Sequence, residues 1–374
     1  MKNRDENKWP VPLDHDWHPK SASIVIDNYN YSRYVSQAIE SAVSQTHRTQ
    51  VIVVDDGSTD NSREIIQSYS DQIEAVFKTN GGHASAFNAG YARATGDIVL
   101  FLDSDDIIEP IAVETLLACW KPETAVAHYP MTIIDAGSKP KGRIPDPFSP
   151  LASGDVRGPL LKAGYFPSTV TSGMAFSRQV LAQIMPVPEE DFFQGADGYL
   201  LRAAAFFGPY QYVDALLSRY RIHDMSDSNP LGKRRPAVEG YRHRIKLERN
   251  FLKTTKEYAA RFQLPVSTRL GDGSHTYIGA RFFSLILDPA NHPIRSDHRF
   301  PLFLRYVSIS WRQELDFKRR VIQIFVAVVS LFGGKKAADT MIRMAGNPAT
   351  RPGWFRRISS LRKNQGNGST VNDS

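Results

Sequence analysis

Residues 96–106 read GDIVLFLDSDD, in which an apolar run from Ile98 to Leu102 ends in carboxylates at Asp103, Asp105 and Asp106. A short, wholly apolar run behind a glycine is what a strand buried on both faces of a parallel sheet requires. The acids that end it then fall just past the strand's carboxyl end, where open α/β sheets bind their ligands. Like charges packed so closely repel one another unless a cation sits among them, and an all-oxygen set favours a divalent one. A local reading competes with this. Asp105 and Asp106 would simply start the next helix, with Pro110 in its first turn and acids at its positive end.

The segments before this one repeat the same alternation. Ser23–Ile26 reads as a buried strand, and residues 33–45 carry apolar residues at Val35, Ala38, Ile39, Ala42 and Val43, an amphipathic helical stripe. Val51–Val54 reads as a second strand, closed by Asp55-Asp56-Gly57-Ser58-Thr59-Asp60 before a helix over 62–69. A strand at 74–77, the Asn80-Gly81-Gly82 turn and a helix over 84–93 lead into the Ile98 strand. Repeated βα units predict a doubly wound, mostly parallel α/β sheet. After a helix over 112–120, residues 125–134 read as a strand, 139–158 as loop, and 197–207 as helix. Beyond Pro230 the sequence turns helical, with a charged helix over 236–262 and further pieces to about 344.

Composition bounds the function classes. The chain has 374 residues, 41% hydrophobic and 11% aromatic, enough for a large core. Its one cysteine, Cys119, excludes an internal disulfide framework and fits a reducing compartment. Residues 1–20 lack an apolar h-region, so no signal peptide is expected, and no stretch reaches the roughly 18 apolar residues that span a bilayer. These features predict a cytoplasmic protein. The net charge of +7 belongs to the tail: residues 318–363 hold eleven Lys or Arg against the single acid Asp339.

Three segments, SIVIDNYNYSRYVSQAIESAVSQT, VIVVDDGSTDNSREII and NGGHASAFNAGYARATGDIVLFLDSDD, taken in this order and spacing, closely resemble the nucleotide-sugar-binding half of family 2 glycosyltransferases with the GT-A fold. The resemblance covers residues 21–225 and is strongest over 21–118. It implies a GT-A domain at 21–230, preceded by a segment 1–20; composition and charge add a helical basic region at 231–363 and, from its Gly/Ser/Asn-rich sequence, a disordered tail at 364–374. It also implies roles. Tyr29 would stack on the nucleobase, Asp56 would accept a hydrogen bond from it, and Asp55 would support the turn. A flat π surface beside an acceptor suits a pyrimidine-like base. Asn80, Gly81 and Gly82 lie where the family wraps the nucleotide, and are either a ligand contact or a bare turn. No P-loop accompanies them.

Asp103-Ser104-Asp105 matches the family's DxD motif. By that resemblance Asp105 is the main Mn²⁺ or Mg²⁺ ligand, Asp103 contacts ribose or metal, and Asp106 starts the next helix. Thr171-Ser172-Gly173-Met174 occupies the small-residue segment beneath the acceptor. Asp197 falls at the general-base position, alone because Ala196 replaces the usual preceding acid; it is either the base or the cap of its helix. His223, in Tyr220-Arg221-Ile222-His223, is a third metal ligand, a diphosphate contact or a structural residue, with Arg221 nearby. The chain departs from the family's pattern at Asp27, usually small, hydroxyl-bearing or proline, and at Phe87, often arginine. It lacks the QxxRW segment of processive relatives, so single-sugar transfer is expected.

The expected function is an inverting, metal-dependent transfer from a UDP- or dTDP-sugar to a glycan or lipid-linked acceptor. A nucleotidyltransferase acting on sugar phosphates and a non-catalytic sugar-nucleotide-binding protein are the alternatives. The apolar run Val321–Phe332, between Lys318-Arg319-Arg320 and Lys335-Lys336, with Trp354-Phe355-Arg356-Arg357 beyond, is either an interfacial helix on anionic lipid at the inner membrane face or a buried helix. Nucleic acid is not an expected partner, since no recognition fold accompanies the charge.

Overall fold

The structure, a computed structural model, describes Trp9 and residues 17–145, 151–223, 237–312 and 317–346. The tail at 364–374 and the aromatic-basic segment 354–357 lie outside the described residues. The chain divides into two compact units, residues 1–226 with 246–274, and residues 227–245 with 275–374.

The first unit opens with the predicted alternation: β1 (Ala22–Asn28), α1 (Val35–Val43), β2 (Gln50–Asp55), α2 (Ser62–Gln67), β3 (Glu74–Phe77), α3 (His83–Tyr91) and β4 (Ile98–Asp103). Next come β5 (Ile107–Ile108), α4 (Ala112–Cys119), β6 (Val126–His128), β7 (Met131–Asp135), β8 (Pro140–Ile144), α5 (Arg157–Ala163), β9 (Met174–Ser177), α6 (Arg178–Ile184), α7 (Ala196–Ala204), β10 (Tyr210–Tyr212) and β11 (Ser218–Ile222). The main sheet runs β10-β6-β9-β4-β1-β2-β3, parallel throughout except for β9, which lies antiparallel between β6 and β4. This is the expected mostly parallel α/β sheet with flanking helices.

The apolar runs of the central strands are continuous because alternate side chains enter different cores. Val25, Ile52, Val54, Val99 and Phe101 join the cluster on the face covered by α3 and α7. Ile24, Ile26, Val51, Val53, Leu100 and Leu102 join the cluster containing α1 and α4. Each fully buried side chain of this size contributes about 1.5–3 kcal/mol relative to an exposed one. The α3 face approaches β1 so closely that a Cβ on Gly90 would lie 2.2 Å from Cγ1 of Val25.

Three expectations are corrected. Residues 125–134 form not one strand but two, β6 in the main sheet and β7 in a second, four-stranded sheet ordered β5-β11-β7-β8. The region 139–158 is not all loop, because Pro140–Ile144 pairs with β7. Asp106 does not start a helix: β5 follows it, and α4 begins only at Ala112.

α8 (Ala237–Arg261) supplies its later residues to the first unit, where Leu247 and Phe251 pack beside α7. The second unit holds α9 (His275–Leu287), α10 (Arg299–Arg312) and α11 (Phe317–Gly346). Ile278, Phe282 and Ile286 of α9 meet Leu302 and Tyr306 of α10 and Val326, Ala327, Ala338 and Met341 of α11. Helical geometry breaks within α11 at Gly334, whose φ of 70° and ψ of −169° suit only glycine. Contrary to the sequence expectation, Arg320–Ile342 is long and apolar enough to cross a membrane. The break falls at Gly333-Gly334, where the sequence reading closed the apolar run, and a second helical piece follows it.

Candidate functional site

The site begins with strand register. β1, β2 and β4 are parallel neighbours, and Asp27 pairs with Asp103 while Asn28 pairs with Asp55. Three adjacent strand ends therefore deliver their polar residues to one edge.

The β1–α1 and β2–α2 loops are bound into one body. Asn28 Nδ2 donates to Asp55 Oδ1 (2.9 Å) and Ser58 Oγ (3.1 Å), and Ser58 N donates to Asp55 Oδ2 (3.2 Å). Thr59 N donates to Asn30 Oδ1 (2.7 Å), and Ser32 N donates to Asp60 Oδ2 (2.9 Å). Tyr29 rides on this scaffold with 42% of its surface exposed, a fixed backbone presenting an open ring. Asp55 thus supports the turn as expected of it.

Asp56 is buried, and its carboxylate accepts from Lys78 Nζ (2.6 Å), Gly81 N (3.0 Å) and Gly82 N (2.7 Å). It gathers the Asn80-Gly81-Gly82 turn against the end of β2, so the residue expected to read a base holds the glycine loop here. Gly82, at φ 82°, caps α3, and a Cβ there would lie 2.4 Å from the carbonyl oxygen of Phe193. Only glycine fits. Phe87, where an arginine contact is missing, is fully buried and stacks on Phe101 at 4.1 Å.

The DSDD turn after β4 is fixed from behind. Ser172 Oγ accepts from Asp103 N (3.1 Å), which places the buried Thr171-Ser172-Gly173 segment directly behind the acids. Arg221 is buried: its backbone N donates to Asp106 Oδ1 (2.8 Å) and its Nε to the Asp105 carbonyl (2.6 Å). Its Nη atoms reach Gln37 Oε1 (2.9 Å) and Ser138 Oγ (2.8 Å). The arginine holds the turn. His223 Nε2 lies 2.9 Å from Asp105 Oδ2, with its ring against Tyr31 and Tyr34. Beside it opens a cavity of about 350 Å³ lined by Tyr31, Arg33, Tyr34 and Asp135.

Ligand atoms of Asp103, Asp105 and Asp106 all lie within 4.8 Å of one another, as do those of Asp27, His83 and Asp103. Burial, then the neighbouring charges of Asp27, Asp106, Asp105 and Asp197, pushes the Asp103 carboxyl well above the usual carboxylate range. Burial and then Asp105 do the same to Asp106. Asp27 is pushed up to about 6, chiefly by burial and further by Asp105 and Asp197, against the opposing effect of His83. Asp27 Oδ1 and Asp106 Oδ2 are buried with no hydrogen-bond partner. Crowded acids with unpartnered buried oxygens fit a bound divalent cation. His223 stands beside Asp105 rather than within either group.

Asp197 comes to the same place from α7. It is the second residue of that helix; Gly195, at φ 81°, occupies the cap position, and no side-chain bond caps the helix. The capping reading therefore fails for Asp197, whose charge acts on Asp27 and Asp103 instead. A Cβ on Gly198 would lie 2.3 Å from the ring of Phe251 in α8, so α7 is held close. Its leading loop is tied to α3: His83 N donates to the Phe193 carbonyl (2.8 Å), and Ala196 N donates to His83 Nδ1 (3.3 Å). An accepting Nδ1 places the proton of a neutral ring on Nε2, which faces Asp27 Oδ2 at 3.8 Å.

Asp27 and His83 are the site residues that sequence reading missed. Asp27 carried a signal, since it ends an apolar strand as Asp103 does. His83 follows the glycine pair at a helix start, a position that only the tertiary fold brings to the acids.

Comparison with known proteins shows what this region is similar to. The family profile described as Glycosyl transferase family 2 matches residues 23–185. An uncharacterised glycosyltransferase of Nostoc sp. is 37% identical over 211 residues, covering 54% of this chain and 64% of the relative. Chondroitin synthase of Pasteurella multocida is 38% identical over 112 residues, 29% of this chain and 12% of that one. The chain thus spans less than two thirds of these relatives. Among solved structures, S. aureus TarS 1–349 in complex with UDP is 16% identical with a TM-score of 0.46, covering 95% of both chains. Residues 23–185 are thus similar to glycosyl transferase family 2.

Proposed function

We propose that the protein is an inverting glycosyltransferase that moves a single sugar from a nucleotide-sugar donor, a UDP- or dTDP-sugar by preference, to a hydroxyl of a glycan or lipid-linked acceptor. One observation carries the reading. Within a family 2 domain, acids ending adjacent parallel strands and the lone acid of α7 act on one another at a single edge. Asp105 and Asp103, with Asp106 behind them, would hold Mn²⁺ or Mg²⁺, which when bound supplies positive charge that favours departure of a nucleoside diphosphate.

The other roles belong to the chain itself. Tyr29 offers its ring to the base, and the turn gathered by Asp56 offers backbone N–H groups and a glycine surface to the nucleotide. His223 orients the Asp105 carboxylate, as groups beside metal ligands do. Asp197 accepts the proton of the acceptor hydroxyl, whose oxygen attacks the anomeric carbon from the face opposite the leaving diphosphate.

The acid cluster makes a pH prediction. A carboxyl whose folded pKa is raised holds its proton more tightly folded than unfolded, so stability falls as pH rises from about 4 through the raised pKa. A divalent cation replaces those protons. Mn²⁺ should therefore raise Tm by several degrees at pH 8, roughly the effect of 1 kcal/mol or more, and little at pH 5. A thermal-shift panel of nucleotide sugars with and without Mn²⁺ tests both points. The expected result is a further rise with one UDP- or dTDP-sugar only when Mn²⁺ is present. A flat panel at pH 8 overturns the reading.

A further inference from the structure

α10 reads RFPLFLRYVSISWR and has two apolar faces. Leu302 and Tyr306 point into the core of the second unit. Phe300, Leu304, Val307 and Trp311 recur at i, i+4, i+7 and i+11, so they form a separate stripe along one side. Phe300 is 58% exposed, Leu304 52% and Trp311 56%, with Val307 half-buried. Isolated exposed apolar residues are ordinary, but an aligned row ending in tryptophan is a surface suited to a partner.

Charge selects the partner. The helix contains no Asp or Glu, and Arg299, Arg305 and Arg312 stand exposed beside the stripe. Arg295 and His298, just before it, are exposed as well. α11, whose one acid is Asp339, also pairs apolar and basic residues: Val328 and Phe332 are exposed, Lys335 and Lys336 follow, and only 22% of its most apolar window is buried. An apolar, aromatic row on a helix that carries arginines and no acid is the pattern of a helix lying in the headgroup region of anionic lipid, with its rings in the acyl boundary and its arginines among phosphates.

We propose that the Phe300–Leu304–Val307–Trp311 face of α10 docks the protein onto an anionic phospholipid surface. The inference is independent of the catalytic reading and uses none of its residues.

The test uses the full chain and vesicles of phosphatidylcholine, alone or with about 30 mol% phosphatidylglycerol. Flotation should carry the protein with the anionic vesicles and leave it behind with the neutral ones, and raising NaCl from about 0.1 to about 0.5 M should weaken the binding. The triple variant Phe300→Ser, Leu304→Ser, Trp311→Ser should lose at least about tenfold in partitioning. Its Tm should stay at the wild-type value, because these side chains are exposed. Arg299→Ser with Arg312→Ser should lose the preference for anionic lipid. Absence of wild-type binding, or binding that survives the triple variant, overturns the proposal. So does a lipid-free dimer that the triple variant dissociates, which would assign the stripe to a second copy of the chain.

Discussion

Asp105→Ala should lower sugar transfer by at least about 10²–10³-fold, the scale on which removal of one well-placed electrostatic group acts. The stability of the fold should not suffer. The carbonyl of Asp105, which accepts from Arg221 Nε at 2.6 Å, survives the substitution, and the carboxylate's contact with His223 Nε2 is the one that is lost. Its charge raises the pKa of Asp27, Asp103 and Asp106, so removing the carboxylate relieves repulsion. Tm in the absence of metal should therefore hold or rise slightly. What should vanish is the Mn²⁺-dependent part of the donor thermal shift. Transfer at the wild-type rate, with the metal response intact, would remove Asp105 from the account. The cation would then have to rest on Asp103 with Asp27 or Asp106.

Asp197→Asn separates chemistry from binding. The substitution keeps size and leaves the start of α7 undisturbed, because Gly195 provides the cap and no side-chain bond is lost. An amide cannot accept the proton of an attacking hydroxyl, so kcat should fall by about 10²–10⁴-fold. Donor affinity, read by the thermal shift with Mn²⁺, should remain within about twofold of wild type. Turnover equal to wild type would make Asp197 a structural acid, and another group would have to serve as base.

The legible part of this protein is its periodic part. Ile24 to Ile26, Val51 to Val54 and Ile98 to Leu102 announce buried parallel strands because no other structure hides such runs on both sides. Strand ends then locate Asp55, Asp56 and Asp103 without any knowledge of contacts. The illegible part depends on which strands neighbour one another. Asp27 faces Asp103 only because β1 and β4 are adjacent in register. His83 meets Asp27 and Ala196 only because α3 and the loop before α7 converge. Arg221 stood in sequence only as a neighbour of His223, yet its buried guanidinium, hydrogen-bonded to Gln37 and Ser138, holds the acidic turn. The second sheet was equally hidden, for Ile107–Ile108 and Pro140–Ile144 are short and lack alternation. In α11, by contrast, Gly333-Gly334 marks the break it announces, and Ala338 and Met341 of the helical piece beyond it join the core of the second unit.

In the proposed reaction, the acids at this sheet edge serve transfer of a sugar from a nucleoside-diphosphate sugar with the help of a divalent cation. The most direct measurement is the release of nucleoside diphosphate from the donor that stabilises the protein, with Mn²⁺ and then after its removal by EDTA. Release should stop on chelation, return when Mn²⁺ is restored, and be absent in Asp105→Ala. Release unchanged by EDTA, or equal in Asp105→Ala, would contradict it.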